Sequence, residues 1–346
     1  MLIKIIGRLT LAFRALRYGT IRSTSRFTIR SITSQEVQEA QKFFPSPKFF
    51  IFGHARSGTT LLARLVRVHP EVHCNWQAHF FTRPPYLESL VSSPKVAEWL
   101  SRRSNRWNRG EDLSPVVLRA VSDYILERDA RLEGKRIVGD KSPNSLVDGE
   151  AVRLMQKIYP DAYLIFIVRD GRDAAVSHRF QTFIDAPQHL SKQDQEIREA
   201  FSKDPEPFLS AQRSIFTSRG IRIYAEGWAK NVSETDALGR QIYAERYLTV
   251  RYEDLLSEPW EQMCQVWKWL GTDVRVPNLQ MDLNSELALN PDKDWQREKA
   301  QNLIAPLQKG ASGSWRELFT SRDRAIYKRI AGENLIAWGY ENNLDW

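Results

Sequence analysis

Phe49-Phe-Ile-Phe-Gly53-His-Ala-Arg56-Ser57-Gly58-Thr59-Thr60-Leu-Leu62 decides the fold class. The apolar run from Phe49 to Phe52, ended by Gly53, reads as a buried strand. Thr59 through Val68 reads as a helix, closed near Pro70. A turn of this kind aims backbone N–H groups and a helix N-terminus at one point, which makes an anion site. The nucleotide-hydrolase version needs a lysine directly after the second glycine. Thr59 stands there, and the basic residue, Arg56, lies earlier, inside the loop. That shift argues against ATP or GTP hydrolysis, keeps the phosphate cradle and puts a planar guanidinium at its mouth. A loop that only caps the helix through Ser57 and Thr60 is the other reading of the same residues.

Outward from this segment, short apolar strands alternate with helices. Strands are expected at Arg136–Val138, Ala162–Val168 and Tyr247–Tyr252, and helices at Ala151–Tyr159, after Val168 and at Trp260–Leu270. Residues 82–135 read as mostly helical, and 182–220 as a polar, proline-interrupted lid or insertion. The alternation predicts a three-layer α/β fold, a mostly parallel central sheet with helices on both faces. Ligands bind such sheets beyond the carboxyl ends of the strands.

Composition narrows the function classes. The chain has 346 residues, 42% hydrophobic and 27% charged, which reads as soluble and globular. Its 2 cysteines, Cys74 and Cys264, exclude a disulfide framework and a cysteine-rich zinc site, and read as two buried thiols. The net charge of +8 is concentrated at one end. Lys4, Arg8, Arg14, Arg17, Arg22, Arg26 and Arg30 fall in an acid-free stretch, and without them 43 basic residues face 42 acidic ones. A nearly neutral body gives no reason to expect a nucleic-acid partner. Residues 1–45 form a basic N-terminal segment ahead of a domain at 46–346, which Phe44-Pro-Ser-Pro47 introduces. Leu2, Ile5, Ile6, Leu9, Phe13 and Leu16 recur near helical spacing, as in a helix lying on an anionic membrane. The charges interrupt every apolar run too soon for a transmembrane span or a good secretory signal. A transit peptide or an appended tail has similar features. The expected location is cytoplasmic, with peripheral membrane contact through residues 1–30.

Ile165-Phe-Ile-Val168-Arg169-Asp170-Gly171-Arg172-Asp173-Ala-Ala-Val176-Ser177-His178 repeats the strand-end architecture. Arg169 leaves the sheet at the strand's end and Ser177 lies on the following helix, so together they suit a second phosphate. Arg172 and Asp173 read as a local pair.

Arg56-Ser57-Gly58-Thr59-Thr60 after an apolar strand resembles the 5′-phosphosulfate loop of sulfotransferases that use 3′-phosphoadenosine 5′-phosphosulfate (PAPS). The resemblance spans about residues 48–340 and implies PAPS as sulfuryl donor. It implies that Arg169 and Ser177 hold the 3′-phosphate, and that Tyr252 approaches the adenine. Gln308-Lys309-Gly310-Ala-Ser-Gly313-Ser-Trp315 resembles the family's closing loop, where Lys309 and Gly310 complete the 3′-phosphate clamp; Gln308 stands where many members carry arginine. Trp228 is a core residue or a neighbour of the base. Asn231-Val-Ser233 is a glycosylation sequon that would matter only in a secretory setting.

Sulfuryl transfer depends on alignment and charge stabilisation. Arg56 is the first candidate for the stabilising cation. Lys141, in Gly139-Asp140-Lys141-Ser142-Pro143, is the second, unless it is an ordinary surface lysine. An acceptor hydroxyl also needs a base. Related sequences often place a glutamate shortly after the His-Pro that ends the first helix. Here Gln77 lies near that place and cannot serve, so His79 is the substitute and Asp140 its rival. The mechanism needs no metal. The expected function is a PAPS-dependent sulfotransferase acting on a carbohydrate, lipid, small metabolite or peptide tyrosine. A nucleotide-dependent kinase or hydrolase, and a non-catalytic nucleotide-binding scaffold, are the alternatives. Oligomeric state is not legible.

Overall fold

The computed structural model describes residues 29–82, 86–144, 146, 149–289 and 312–346. The chain divides into two units, Met1–Arg30 and Ser31–Trp346, and the second carries the sheet.

Five parallel strands form that sheet: β1 (Lys48–Gly53), β2 (Val72–Trp76), β3 (Ile137–Lys141), β4 (Tyr163–Val168) and β5 (Tyr247–Arg251), in the order β2-β3-β1-β4-β5. β1 lies at the centre, between β3 and β4. Its residues are all buried, as a strand covered on both faces requires. Phe49 and Ile51 face one layer, joining Ile165 and Ile167 of β4 against three helices. These are α2 (Thr59–Val66), α10 (Pro259–Trp269) and α11 (Leu279–Ala288), which contribute Leu62, Leu65, Met263, Trp267 and Leu283. The alternate residue Phe50 turns to the other layer and meets Phe81 and Tyr159 edge-on, with ring centroids at 5.3 and 5.0 Å. That layer holds α4 (Ser114–Leu132), α5 (Glu150–Ile158), α6 (Gly171–Asp185), α8 (Ser218–Tyr243) and α12 (Ser321–Ala337). The remaining helices are α1 (Ser34–Phe43), α3 (Pro94–Ser101), α7 (Lys192–Lys203) and α9 (Tyr252–Ser257), besides shorter turns.

The buried face of α4 is ionic. Lys48 Nζ lies 2.6 Å from Glu127 and 3.4 Å from Asp123. Arg119, fully buried, donates to Asp123 at 2.7 Å and to both oxygens of Asp161 at 2.7 and 3.0 Å. Burial of so many charges is tolerated only when each is paired.

The structure adds elements to the expected set and corrects some local readings. β2 was not expected: His73 and Asn75 interrupt its apolar character, and it is an edge strand. Helix α1 precedes the Phe44–Pro47 entry, and Gln41 bonds Asp161 at 2.9 Å. The expected lid contains α7, with a side-chain cap from Ser191. Cys264 is half-buried rather than buried, and Cys74 and Cys264 are both free thiols. Asn231 is fully buried within α8 and donates to the Leu146 carbonyl at 2.7 Å, so the sequon's acceptor amide is inaccessible.

Candidate functional site

The carboxyl ends of β1, β3 and β4 open onto one edge, where the loop after β1 turns into α2. Arg56 and Gly58 take left-handed backbone angles, φ 72° and 92°. Gly58 is the N-cap of α2, and no side chain caps it. The helix-capping reading of Ser57 and Thr60 is thereby removed. A Cβ on Gly58 would meet the Tyr252 ring at 2.2 Å, so only glycine fits both the angle and the contact. Tyr252 begins α9, just beyond β5, and its ring packs against Gly58 of the loop after β1.

Arg169 is brought to the same loop. Its Nη1 donates to the Arg56 carbonyl at 3.2 Å, and its guanidinium lies 4.6 Å from the Tyr252 ring centroid. Trp228 Nε1 donates to the Arg169 carbonyl at 3.1 Å, which makes that buried indole a brace for the arginine's backbone. The Arg56 side chain reaches the first turns of α6, where Nε donates to Ser177 Oγ at 3.0 Å. Arg56, Arg169, Ser177 and Tyr252 therefore share one cleft.

Lys141 approaches from the other side. It ends β3, is 2% exposed, and donates to Thr60 Oγ1 at 3.1 Å. This excludes the surface-lysine reading. Trp76 lies opposite Lys141 in the parallel register, and its ring centroid is 5.3 Å from the ammonium. Burial pushes the Lys141 pKa down and nearby Arg56 adds to that, while Asp140 opposes it. Sequence reasoning missed Trp76; the signal was its place at the end of an unrecognised strand.

Asp140 organises the neighbouring turn. Its carboxylate accepts from the Ala78 N–H at 2.9 Å and from Ser142 Oγ at 2.6 Å. Burial raises its pKa to about 6. Both oxygens are engaged in holding the turn, which weighs against Asp140 as a base. His79, in left-handed backbone at φ 51°, donates its N–H to Ser142 Oγ at 2.9 Å. Its Nδ1 shares a 2.7 Å hydrogen bond with Thr82 Oγ1. Burial, and secondarily Lys141, lower its pKa, which favours the neutral imidazole. Gln77 is exposed. His54 and His178 lie near Arg56; burial is the main cause lowering both, His54 to about 4.

Arg172 and Asp173 do not pair with each other, contrary to the sequence reading. Arg172 pairs with Asp170 at 2.7 Å and with Glu341, and its guanidinium packs 3.7 Å from the Trp315 ring centroid and 4.4 Å from that of Trp346. Asp173 instead accepts from the Gly313 and Trp315 N–H groups at 2.7 and 3.1 Å. Packing of the C-terminal segment against α6 separates the two. Lys309 and Gly310 lie outside the described residues, immediately before the segment that Asp173 anchors.

The residues present fit a phosphosulfate group. Ser57 Oγ is fully buried and has no hydrogen-bond partner among the described residues, beside an uncapped helix N-terminus and the Arg56 guanidinium. A bound oxyanion would accept from all three.

A family model described as the sulfotransferase family matches residues 47–275. The chain belongs to the sulfotransferase family. Among curated relatives, a protein-tyrosine sulfotransferase of Drosophila melanogaster is 25% identical, covering 78% of this chain and 47% of that protein. Protein-tyrosine sulfotransferase 2 of Gallus gallus is 25% identical over 65% of this chain and 51% of its own length. The chain thus spans about half the length of these two relatives. Among solved structures, that of a mouse sulfotransferase complexed with PAP aligns at TM-score 0.47 and 17% identity, over 90% of this chain and 92% of that one.

Proposed function

We propose that the domain at 46–346 transfers a sulfuryl group from PAPS to a hydroxyl or amine acceptor. The observation that carries this is the convergence of Arg56, Lys141 and Arg169 on one uncapped loop from three different strands. Arg56, Ser57 and the Gly58-Thr59-Thr60 backbone hold the 5′-phosphosulfate. Arg169, Ser177, Lys309 and Gly310 hold the 3′-phosphate, and Tyr252 packs near the adenine. When bound, PAPS supplies an activated sulfuryl group and a phosphate leaving group.

The chain's own residues supply charge and proton handling. Lys141 and Arg56 stabilise the negative charge that develops on the leaving phosphate, inside a partly dehydrated cleft where such charges count for more than in water. His79 takes the acceptor's proton. The acceptor belongs among carbohydrates, lipids, small metabolites and peptide tyrosines; the tyrosine sulfotransferase relatives support the last class. Cytoplasmic residence with peripheral membrane contact through residues 1–30 completes the reading.

Incubation with sulfur-labelled PAPS and a panel of acceptors tests it. The proposal predicts label in at least one hydroxyl acceptor, with stoichiometric release of 3′,5′-bisphosphoadenosine (PAP). Magnesium-dependent ATP turnover without label transfer would favour a kinase or hydrolase instead. PAP binding without transfer to any acceptor would leave a scaffold.

A further inference from the structure

Between Trp99 and Gly110 the chain runs Trp99-Leu-Ser-Arg102-Arg103-Ser-Asn105-Arg106-Trp107-Asn108-Arg109-Gly110, with four arginines and no acid. Helix α3 turns Ala97 and Leu100 into the core, 7% and 1% exposed, and so carries Trp99 to the outside. Trp99 and Trp107 remain 57% and 50% exposed and stack on each other, centroids 4.8 Å apart and planes at 25°. Arg102, Arg103, Arg106 and Arg109 are all exposed.

This excursion is built rather than loose. Buried Asn108 donates to the Leu100 carbonyl at 3.0 Å and accepts from the Gly110 N–H at 3.0 Å. Asn105 Nδ2 donates to the Trp99 carbonyl at 3.1 Å, and the Leu113 N–H closes onto the Leu100 carbonyl at 3.2 Å. The acids nearby stand outside the run: Glu98, which pairs with Arg102 at 2.8 Å, and Glu111 with Asp112 on the far side.

We propose that this stacked tryptophan pair and its four arginines form a docking surface for an anionic lipid membrane. Tryptophan prefers the interfacial layer of a bilayer, where its ring is buried and its N–H stays wet. Guanidinium groups suit lipid phosphates, and their aliphatic stems can lie along the same layer. Mutual stacking already covers one face of each ring. A partner that engages ring edges and several spread cations at once is therefore favoured over one that stacks on an open indole face. Charge complementarity selects the anionic leaflet.

Flotation of the full chain with vesicles tests this. Binding is expected to phosphatidylcholine vesicles containing one-third phosphatidylglycerol, and to be weak with phosphatidylcholine alone or in high salt. Reversal of all four arginines to glutamate should lower partitioning at least about a hundredfold. Trp99→Phe/Trp107→Phe keeps a smaller aromatic ring at each position, and should abolish the tryptophan quenching that brominated lipids cause at this site in the parent. Equal flotation of parent and charge-reversed chain would overturn the proposal and leave residues 1–30 as the attachment. Arginine-dependent retention on heparin or an acidic peptide, without vesicle binding, would overturn it in favour of a soluble polyanion. PAP binding should be unchanged in every variant, whichever outcome holds.

Discussion

Lys141 shows how a single residue's surroundings decide its use. A lysine at a strand end is ordinarily solvated; here the ammonium is held by Thr60 Oγ1 and the face of Trp76, with only 2% of the residue exposed. Lys141→Ala should lower kcat by about 10²–10³ while changing PAP affinity little, as checked by steady-state kinetics and calorimetry. The same burial sets the pH profile. His79 is shifted below the usual histidine range and Lys141 below the usual lysine range. Activity should rise as His79 deprotonates on the acid side, and fall as Lys141 loses its proton at a pH lower than for a free lysine. His79→Gln should erase the acid limb of the kcat/KM profile. Asp140 offers a separate check on stability. Its pKa in the fold, about 6, exceeds that of an unfolded aspartate, so its contribution is fully present below the unfolded value and is lost as pH rises through about 6. Asp140→Asn can still accept from the Ala78 N–H while its amide nitrogen donates to Ser142 Oγ, reversing that bond, and should flatten that part of the stability curve in urea titrations at a series of pH values. The sequence identified Lys141, Arg56, Arg169 and Ser177 as functional candidates because each stands beside a recognisable strand end. It did not identify Trp76, whose strand was hidden by His73 and Asn75, nor the role of Asp173, whose partners lie far along the chain at Gly313 and Trp315.

At the scale of elements, the turn from β1 into α2 has no spare room. Gly58 has φ 92° and the Tyr252 ring at its back. Gly58→Ala should therefore displace Tyr252 and cost about 1–3 kcal/mol, with loss of PAP binding that exceeds the loss of fold. Thermal melts with and without PAP separate the two effects. This turn was legible in the sequence because glycine, arginine and an apolar strand announce it locally. The partners that shape it were not, since Tyr252 and Ser177 reach it only after β4 and β5 have been laid beside β1. The helical insert behaves differently: its helices were expected, but the outward placement of Trp99 depends on which turn of α3 meets the core.

For the whole molecule, stability and site come from opposite ends of the same strands. The site lies where β1 and β3 end; the Lys48, Asp123, Glu127, Arg119 and Asp161 network joins the start of β1 to α4 and the entry to β4. Arg119→Ala would leave two carboxylates without their shared cation and should cost about 3–5 kcal/mol in denaturant unfolding, with the site's ligand preference retained in the folded fraction. The α/β class was legible from alternating strands and helices, while the strand order β2-β3-β1-β4-β5 follows from long-range pairing that local pattern does not encode. That order brings the ends of β1 and β4 into one cleft, and the proposed function depends on both ends acting on one ligand. Calorimetric titration with PAP and with adenosine 5′-phosphate, on the parent and on Arg169→Ala, tests this most directly. The account predicts that the parent prefers PAP and that Arg169→Ala reduces PAP affinity to the level of the monophosphate while leaving monophosphate binding unchanged. A parent that binds both nucleotides equally, or a variant that weakens both to the same degree, would contradict it.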